Sequence, residues 1–190
     1  MMRFAISYQP ALWAVMPDLG DEEVDERWVA EQADAYAVGP MSATVERSVL
    51  RAVGDAAARE ALSYRRAEVE TSLFFRPVTD PMFGVMHFLV QQEPEGIDDV
   101  EPADWLAPGM ELLIDPVVAE FETDHIPHGY RMAYATTQSF DDGVQKTGVS
   151  WGFRLDGKLG LVFSELARAD VAGLMLAGCD PIVGSLRLVP

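Results

Sequence analysis

Val149-Ser150-Trp151-Gly152-Phe153-Arg154-Leu155-Asp156-Gly157-Lys158-Leu159-Gly160-Leu161-Val162-Phe163 is the stretch on which the fold class turns. Two runs rich in aromatic and β-branched residues flank an Asp-Gly pair, and Asp-Gly supplies the positive φ angles of a two-residue type I′ turn. The reading is a β-hairpin, Val149–Leu155 returning as Lys158–Phe163. Working outward, Asp141-Asp142-Gly143 separates it from a further strand over Tyr130–Gln138. Leu112–Glu122 contains Pro116, then Val118, Glu120 and Glu122 interleaved with Ala119 and Phe121, a strand with one wet face. Val69–Phe75 and Phe83–Gln91 form an antiparallel pair turned by Pro77 and Asp80-Pro81.

The ends are of mixed type. Phe4–Tyr8 alternates large and small residues and stops at Pro10, as a first strand does. Asp21–Ala37 is helical, with acidic residues in its first turn and a Gly39-Pro40 stop. On the wheel Val24, Trp28, Val29, Ala33, Ala35 and Tyr36 share one half, which places Trp28 in the core. Ser42–Ser63 is a second helix with Ser42 as its N-cap, broken or divided at Gly54. A short helix over Arg168–Leu176 precedes a final strand, Ile182–Val189. The sum is an α+β fold: a single layered domain over residues 1–190, a mostly antiparallel β-sheet of about six to seven strands with helices packed on it.

Composition sets limits on function. The 190 residues carry 14 Lys+Arg against 31 Asp+Glu, a formal charge of −17. A chain so acidic has no basic surplus to displace counterions, which excludes nucleic acid and anionic membrane held by bulk charge. Hydrophobic residues make up 49%, too many for a disordered acidic chain. No apolar run is long enough to span a bilayer, and the opening seventeen residues, broken by Gln9, Pro10 and Pro17, do not read as a secretory signal. The lone cysteine, Cys179, lies in an apolar neighbourhood and reads as a packed thiol. The expected setting is reducing and cytoplasmic.

The opening Phe4-x-Ile6-x-Tyr8-x-Pro10, followed by Trp13, resembles the PsbP-like superfamily. So do the helix after it, the antiparallel meander, and an ending in which Asp180 and Ser185-Leu186 recur. That resemblance implies an α/β/α sandwich, shared by photosystem II extrinsic proteins, nuclear Ran-release factors and a group of actinobacterial proteins. It implies an accessory or binding protein with no transferable catalytic residue, and an actinobacterial cytoplasmic member rather than a lipoprotein anchored through an N-terminal cysteine.

Charge segregation supplies the candidate site. Between Arg76 and Arg131 there is no Lys or Arg, yet twelve of the acidic residues fall there. Six of them, Glu93, Glu95, Asp98, Asp99, Glu101 and Asp104, lie in a Pro- and Gly-punctuated loop that closes on Trp105. The expectation is a docking loop for a protein partner with a basic surface, anchored by Trp105. A calcium site is disfavoured, because the spacing lacks the sixth-position glycine and twelfth-position glutamate of an EF-hand. His125 and His128 lie in a turn made by Pro127 and are expected to be surface histidines; His87, the remote third, is expected to be a satisfied strand histidine. No nucleophile elbow or phosphate-binding loop is present, so no catalytic residue, metal or cofactor is assigned. The alternative function is a small-molecule-binding or enzymatic domain using an apolar cleft beside the sheet, lined by Met and Phe. A third reading is a homodimer pairing through the Ile182–Val189 edge.

Overall fold

A computed structural model of the chain describes residues 3–77, 82–155 and 157–189. Its elements in chain order are β1 (Arg3–Ala5), β2 (Trp13–Val15), α1 (Glu22–Val38), α2 (Arg47–Leu62), β3 (Thr71–Phe75) and β4 (Gly84–Gln92). There follow α3 (Pro102–Leu106), β5 (Val117–Phe121), β6 (Gly129–Ser139), β7 (Gln145–Leu155), β8 (Lys158–Ser164), α4 (Ala169–Gly184) and β9 (Arg187–Val189). Seven strands form one antiparallel sheet in the order β2-β3-β4-β8-β7-β6-β5. The α+β class read from the sequence is the observed one.

The β7–β8 hairpin has the expected register: Leu155 pairs with Lys158, and Gly157 has φ +70°. Asp156 lies outside the described residues, as does the Asp80-Pro81 turn between β3 and β4. The period-2 alternation of the strands sends Leu73, Phe75, Met86, Phe88, Val149, Trp151 and Val162 to one face. There α4 covers them with Val171, Met175, Cys179 and Ile182, spaced as one helical stripe. Asp180 fixes that helix: it accepts from the Trp151 indole N–H at 3.0 Å and from Arg131 at 2.6 Å.

On the opposite face, α1 and α2 pack over Phe74 and Val85 with Trp28, Val29, Tyr36, Ala57, Ala58 and Ala61. Asp21 caps α1 by accepting from the Glu23 and Val24 amides, and the Trp28 indole donates to the Val15 carbonyl at 2.8 Å. Arg65, just past α2, grips Asp25 of α1 with two bonds of 2.7 Å.

Four expectations are corrected. The second helix starts at Arg47, because Pro40–Ala43 forms a separate 3-10 turn, and it runs unbroken through Gly54. Gly54 marks the helix crossing: a Cβ there would meet Tyr36 at 2.9 Å and the Ala33 Cα at 3.0 Å. Leu112–Glu122 is not one strand; β5 begins after Pro116, and Leu112 makes only an isolated bridge to Thr136. At the end of the chain α4 continues through Pro181 to Gly184, since Ile182 and Val183 extend its buried stripe and outweigh the one backbone bond that proline cannot make. The remaining strand, β9, pairs with β1 in a separate two-stranded ribbon. Of Ile182–Val189 only Arg187–Val189 is strand, and it lies outside the main sheet, while β2, unforeseen, occupies one end of that sheet.

Two glycine substitutions separate crossing from propensity. Gly173 of α4 is exposed with open space beyond it, so Gly173→Ala should stabilise the fold by about 1 kcal/mol through helix propensity. Gly54→Ala gains the same propensity but forces α1 and α2 apart, an overpacking cost of about 1–3 kcal/mol. Urea unfolding should show opposite shifts of the midpoint.

Candidate functional site

The cleft beside the sheet originates in one strand. On the face of β7 away from α4 the successive residues are Gly148, Ser150 and Gly152, while Val149, Trp151 and Phe153 fill the other face. Without side chains at Gly148 and Gly152, aromatic rings lie directly on the backbone. A Cβ at Gly148 would come within 2.5 Å of the Tyr134 ring, and one at Gly152 would overlap the Trp105 indole. Tyr134 and Trp105 thus sit on either side of Ser150, and the sheet between Arg66 and α3 is left as a trough of about 280 Å³.

Its floor is Leu89, Leu161 and Phe163, which share a face by register and stay half-buried. Leu106, Met110 and Leu166 close the sides. Ser150 is 1% exposed, and its hydroxyl has no hydrogen-bond partner among the described residues. An unpaired buried hydroxyl costs roughly 1–3 kcal/mol. Burial, reinforced by the negative charge of Glu165, pushes the Tyr134 phenol up to about 12, so it stays a neutral O–H.

At the rim a polar chain crosses the sheet. The fully buried His87 donates from Nε2 to Glu165 Oε1 at 3.1 Å, which leaves Nδ1 to accept the Ser72 hydroxyl at 2.8 Å. Arg66 donates to the same carboxylate oxygen at 2.6 and 2.9 Å, and its guanidinium stands 5.7 Å from the centre of the Phe163 ring. Burial alone opposes ionisation of Glu165, but the bonds from His87 and Arg66 outweigh it and hold the carboxyl below its ordinary value. Ser-His-Glu has the composition of a hydrolytic triad, yet Ser72 is buried and borders neither this cleft nor the cavity beside it, so it presents no nucleophile. His87 is the satisfied strand histidine expected from the sequence. The Cys179 thiol is fully buried and pushed well up by that burial, with Asp180 adding to it, so it is packed and inert.

The acidic loop is folded against the sheet. Gly96, at φ +76°, leads into a 3-10 turn over Ile97–Asp99, and Ile97 is buried. Glu95, Asp99, Glu101 and Asp104 are exposed; Asp98 is described by its backbone alone. Glu93 turns the other way, half-buried, 3.5 Å from Arg154. Trp105 does not project outward: it is half-buried, packs edge-on to Tyr130 with ring centres 6.0 Å apart, and walls both the cleft and a second cavity of about 350 Å³ bordered by Asp99, Glu101 and Arg154.

His125 and His128 are both exposed, His128 standing edge-on to Tyr130. Among the described residues no three metal-ligating side chains converge, and no helix is long and apolar enough to cross a membrane. Of the Met and Phe expected along a cleft only Met110 and Phe163 line it; Met86, Met132 and Met175 are plain core. Ser150 and Tyr134 went unnoticed in the sequence.

No protein-family model matches the chain, and no curated protein matches it. Among solved structures it is similar to LpqN of Mycobacterium tuberculosis, described as involved in cell envelope biogenesis, with TM-score 0.48 and 9% identity over 100% of this chain and 85% of that one. It is also similar to the cyanobacterial PsbP, CyanoP, of Synechocystis sp. PCC 6803, with TM-score 0.42 and 15% identity over 66% of this chain and 78% of that one. The PsbP-like resemblance is met again in these structures as a weak likeness of fold at low identity.

The polar chain has a pH signature. With its folded value below the ordinary 4.5, Glu165 contributes stability that is complete above 4.5 and is lost as pH falls through the lower folded value. The stability gap between wild type and Glu165→Gln should close progressively as pH falls below 4.5, read by denaturant unfolding at each pH.

Proposed function

We propose that this protein is a non-catalytic binding domain whose site is the cleft over Ser150. The single observation that carries the reading is the unpartnered Ser150 hydroxyl, buried between apolar walls. Binding pockets are mostly apolar with a few placed polar groups, and an orphaned hydroxyl is a group that a ligand atom would satisfy. Arg66 and Glu165 at the rim neutralise each other, and the chain as a whole carries −17. The ligand class that fits is a small molecule with an apolar body and an uncharged hydrogen-bonding head.

The expectation of protein binding through Glu93, Glu95, Asp98, Asp99, Glu101, Asp104 and Trp105 is a second reading. What favours it is the outward exposure of Glu95, Asp99, Glu101 and Asp104 on a loop held down by Ile97. In it Trp105 acts as the loop's internal anchor, and a basic partner meets the carboxylates alone. Charge would steer association, so the on-rate would fall with salt. A cytoplasmic location is part of the proposal and rests on a chain with one cysteine.

Ser150→Ala tests the first reading from two sides. Removing an unpaired buried hydroxyl should raise the stability of the free protein by about 1 kcal/mol. The same change should weaken a hydroxyl-bearing naphthalene fluorophore about tenfold, while Leu161→Trp, which fills the floor, should abolish its saturable fluorescence. A probe bound equally by all three proteins would end the reading.

A further inference from the structure

The two ends of the main sheet differ. At β2 the outer side is occupied, the Val15 carbonyl accepting from Trp28. At β5 no strand pairs beyond it among the described residues, so its outer backbone groups have no strand partner. Edge strands left in this state are templates for another chain.

Side chains along this edge alternate in chemistry as well as direction. Val118 and Glu120 lie opposite Met132 and Tyr130 on the cleft face, with Glu122 one residue beyond the strand. Val117, Ala119 and Phe121 lie on the α4 face. Val117 is 82% exposed and Ile114, just before the strand, 68% exposed. Glu111, Asp115, Glu120, Glu122 and Asp124 are all exposed around the edge. A second copy would bring this same acidic edge against itself, and like charges opposite each other destabilise a strand pair. Charge therefore selects the occupant.

We propose that β5 accepts an extended segment of a partner protein by strand addition, and that this segment alternates apolar with basic residues. Its apolar side chains cover Val117 and Ala119 on one face, and its Lys or Arg side chains meet Glu120 and Glu122 on the other. The surface is separate from the Ser150 cleft and from the Glu93–Asp104 loop.

The experiment uses the full chain and a short synthetic peptide alternating valine with lysine, followed by fluorescence anisotropy and by hydrogen exchange. The expected result is saturable binding that weakens with salt, slowed amide exchange at 117–121, and no binding of a scrambled peptide of the same composition. Each cross-strand charge pair is modest, so Glu120→Lys with Glu122→Lys together should weaken binding about five- to tenfold. Val117→Lys should do the same through the apolar face; both sites are exposed, so unchanged circular dichroism will accompany the loss. The Asp98→Asn/Asp99→Asn/Glu101→Gln variant should bind the peptide as wild type does. Equal binding of the scrambled peptide, loss only in the loop variant, or no saturable binding overturns the proposal. A concentration-dependent dimer by light scattering that Val117→Lys dissolves also overturns it, in favour of a second copy.

Discussion

Small residues on one side of one interior strand set the shape of this molecule. Gly148, Ser150 and Gly152 leave the cleft face of β7 almost bare, while Val149, Trp151 and Phe153 crowd the other. The crowded side takes a tightly packed helix, α4, whose stripe of Val171, Met175, Cys179 and Ile182 interdigitates with it. The bare side takes aromatic rings against the backbone, Tyr134 at Gly148 and Trp105 at Gly152. Packing is dense on one face and interrupted on the other, and the interruption is the cleft. A methyl group at Gly152 would displace Trp105, and with it both the α3 wall and the acidic loop that α3 terminates.

A second consequence concerns polarity. The row Ser72, His87, Phe163 and Ser150 crosses four strands on the cleft face. Ser72 and His87 satisfy each other and are tied through Glu165 to Arg66. Ser150 alone in that row is unsatisfied. A lone unpaired hydroxyl bordering a cavity, in a row whose other polar groups are paired, differs from a defect of packing, because the free energy lost there is recoverable by whatever enters.

The hairpin, the α+β class and the antiparallel order were legible because Asp-Gly and period-2 alternation are local signals. Gly54 misled because a glycine inside a helix reads as a breaker unless the facing helix is known; here Tyr36 and Ala33 require it. The far end of α4 was missed because the stripe that carries the helix past Leu176, through Cys179 to Ile182 and Val183, is buried only against strands distant in sequence. In the acidic loop the charge was legible, but the packing of Trp105 on Gly152 was not, because the two are far apart in sequence. The cleft had one local signal, small residues at alternate positions 148, 150 and 152, which implies something large lying on that face. Its other wall, Tyr134, and the Ser72, His87 and Glu165 chain join residues from three strands and the loop after β8, and no spacing rule reaches that far.

The central claim is that a ligand enters over Ser150. The most direct measurement is a methyl-resolved carbon–proton NMR titration of the full chain with the hydroxyl-bearing naphthalene fluorophore. The account predicts saturable shifts at Leu89, Leu106, Met110, Leu161 and Leu166. Shifts confined to the exposed apolar side chains Val38, Ile114 and Val117, or no saturable shift at the cleft, would contradict it.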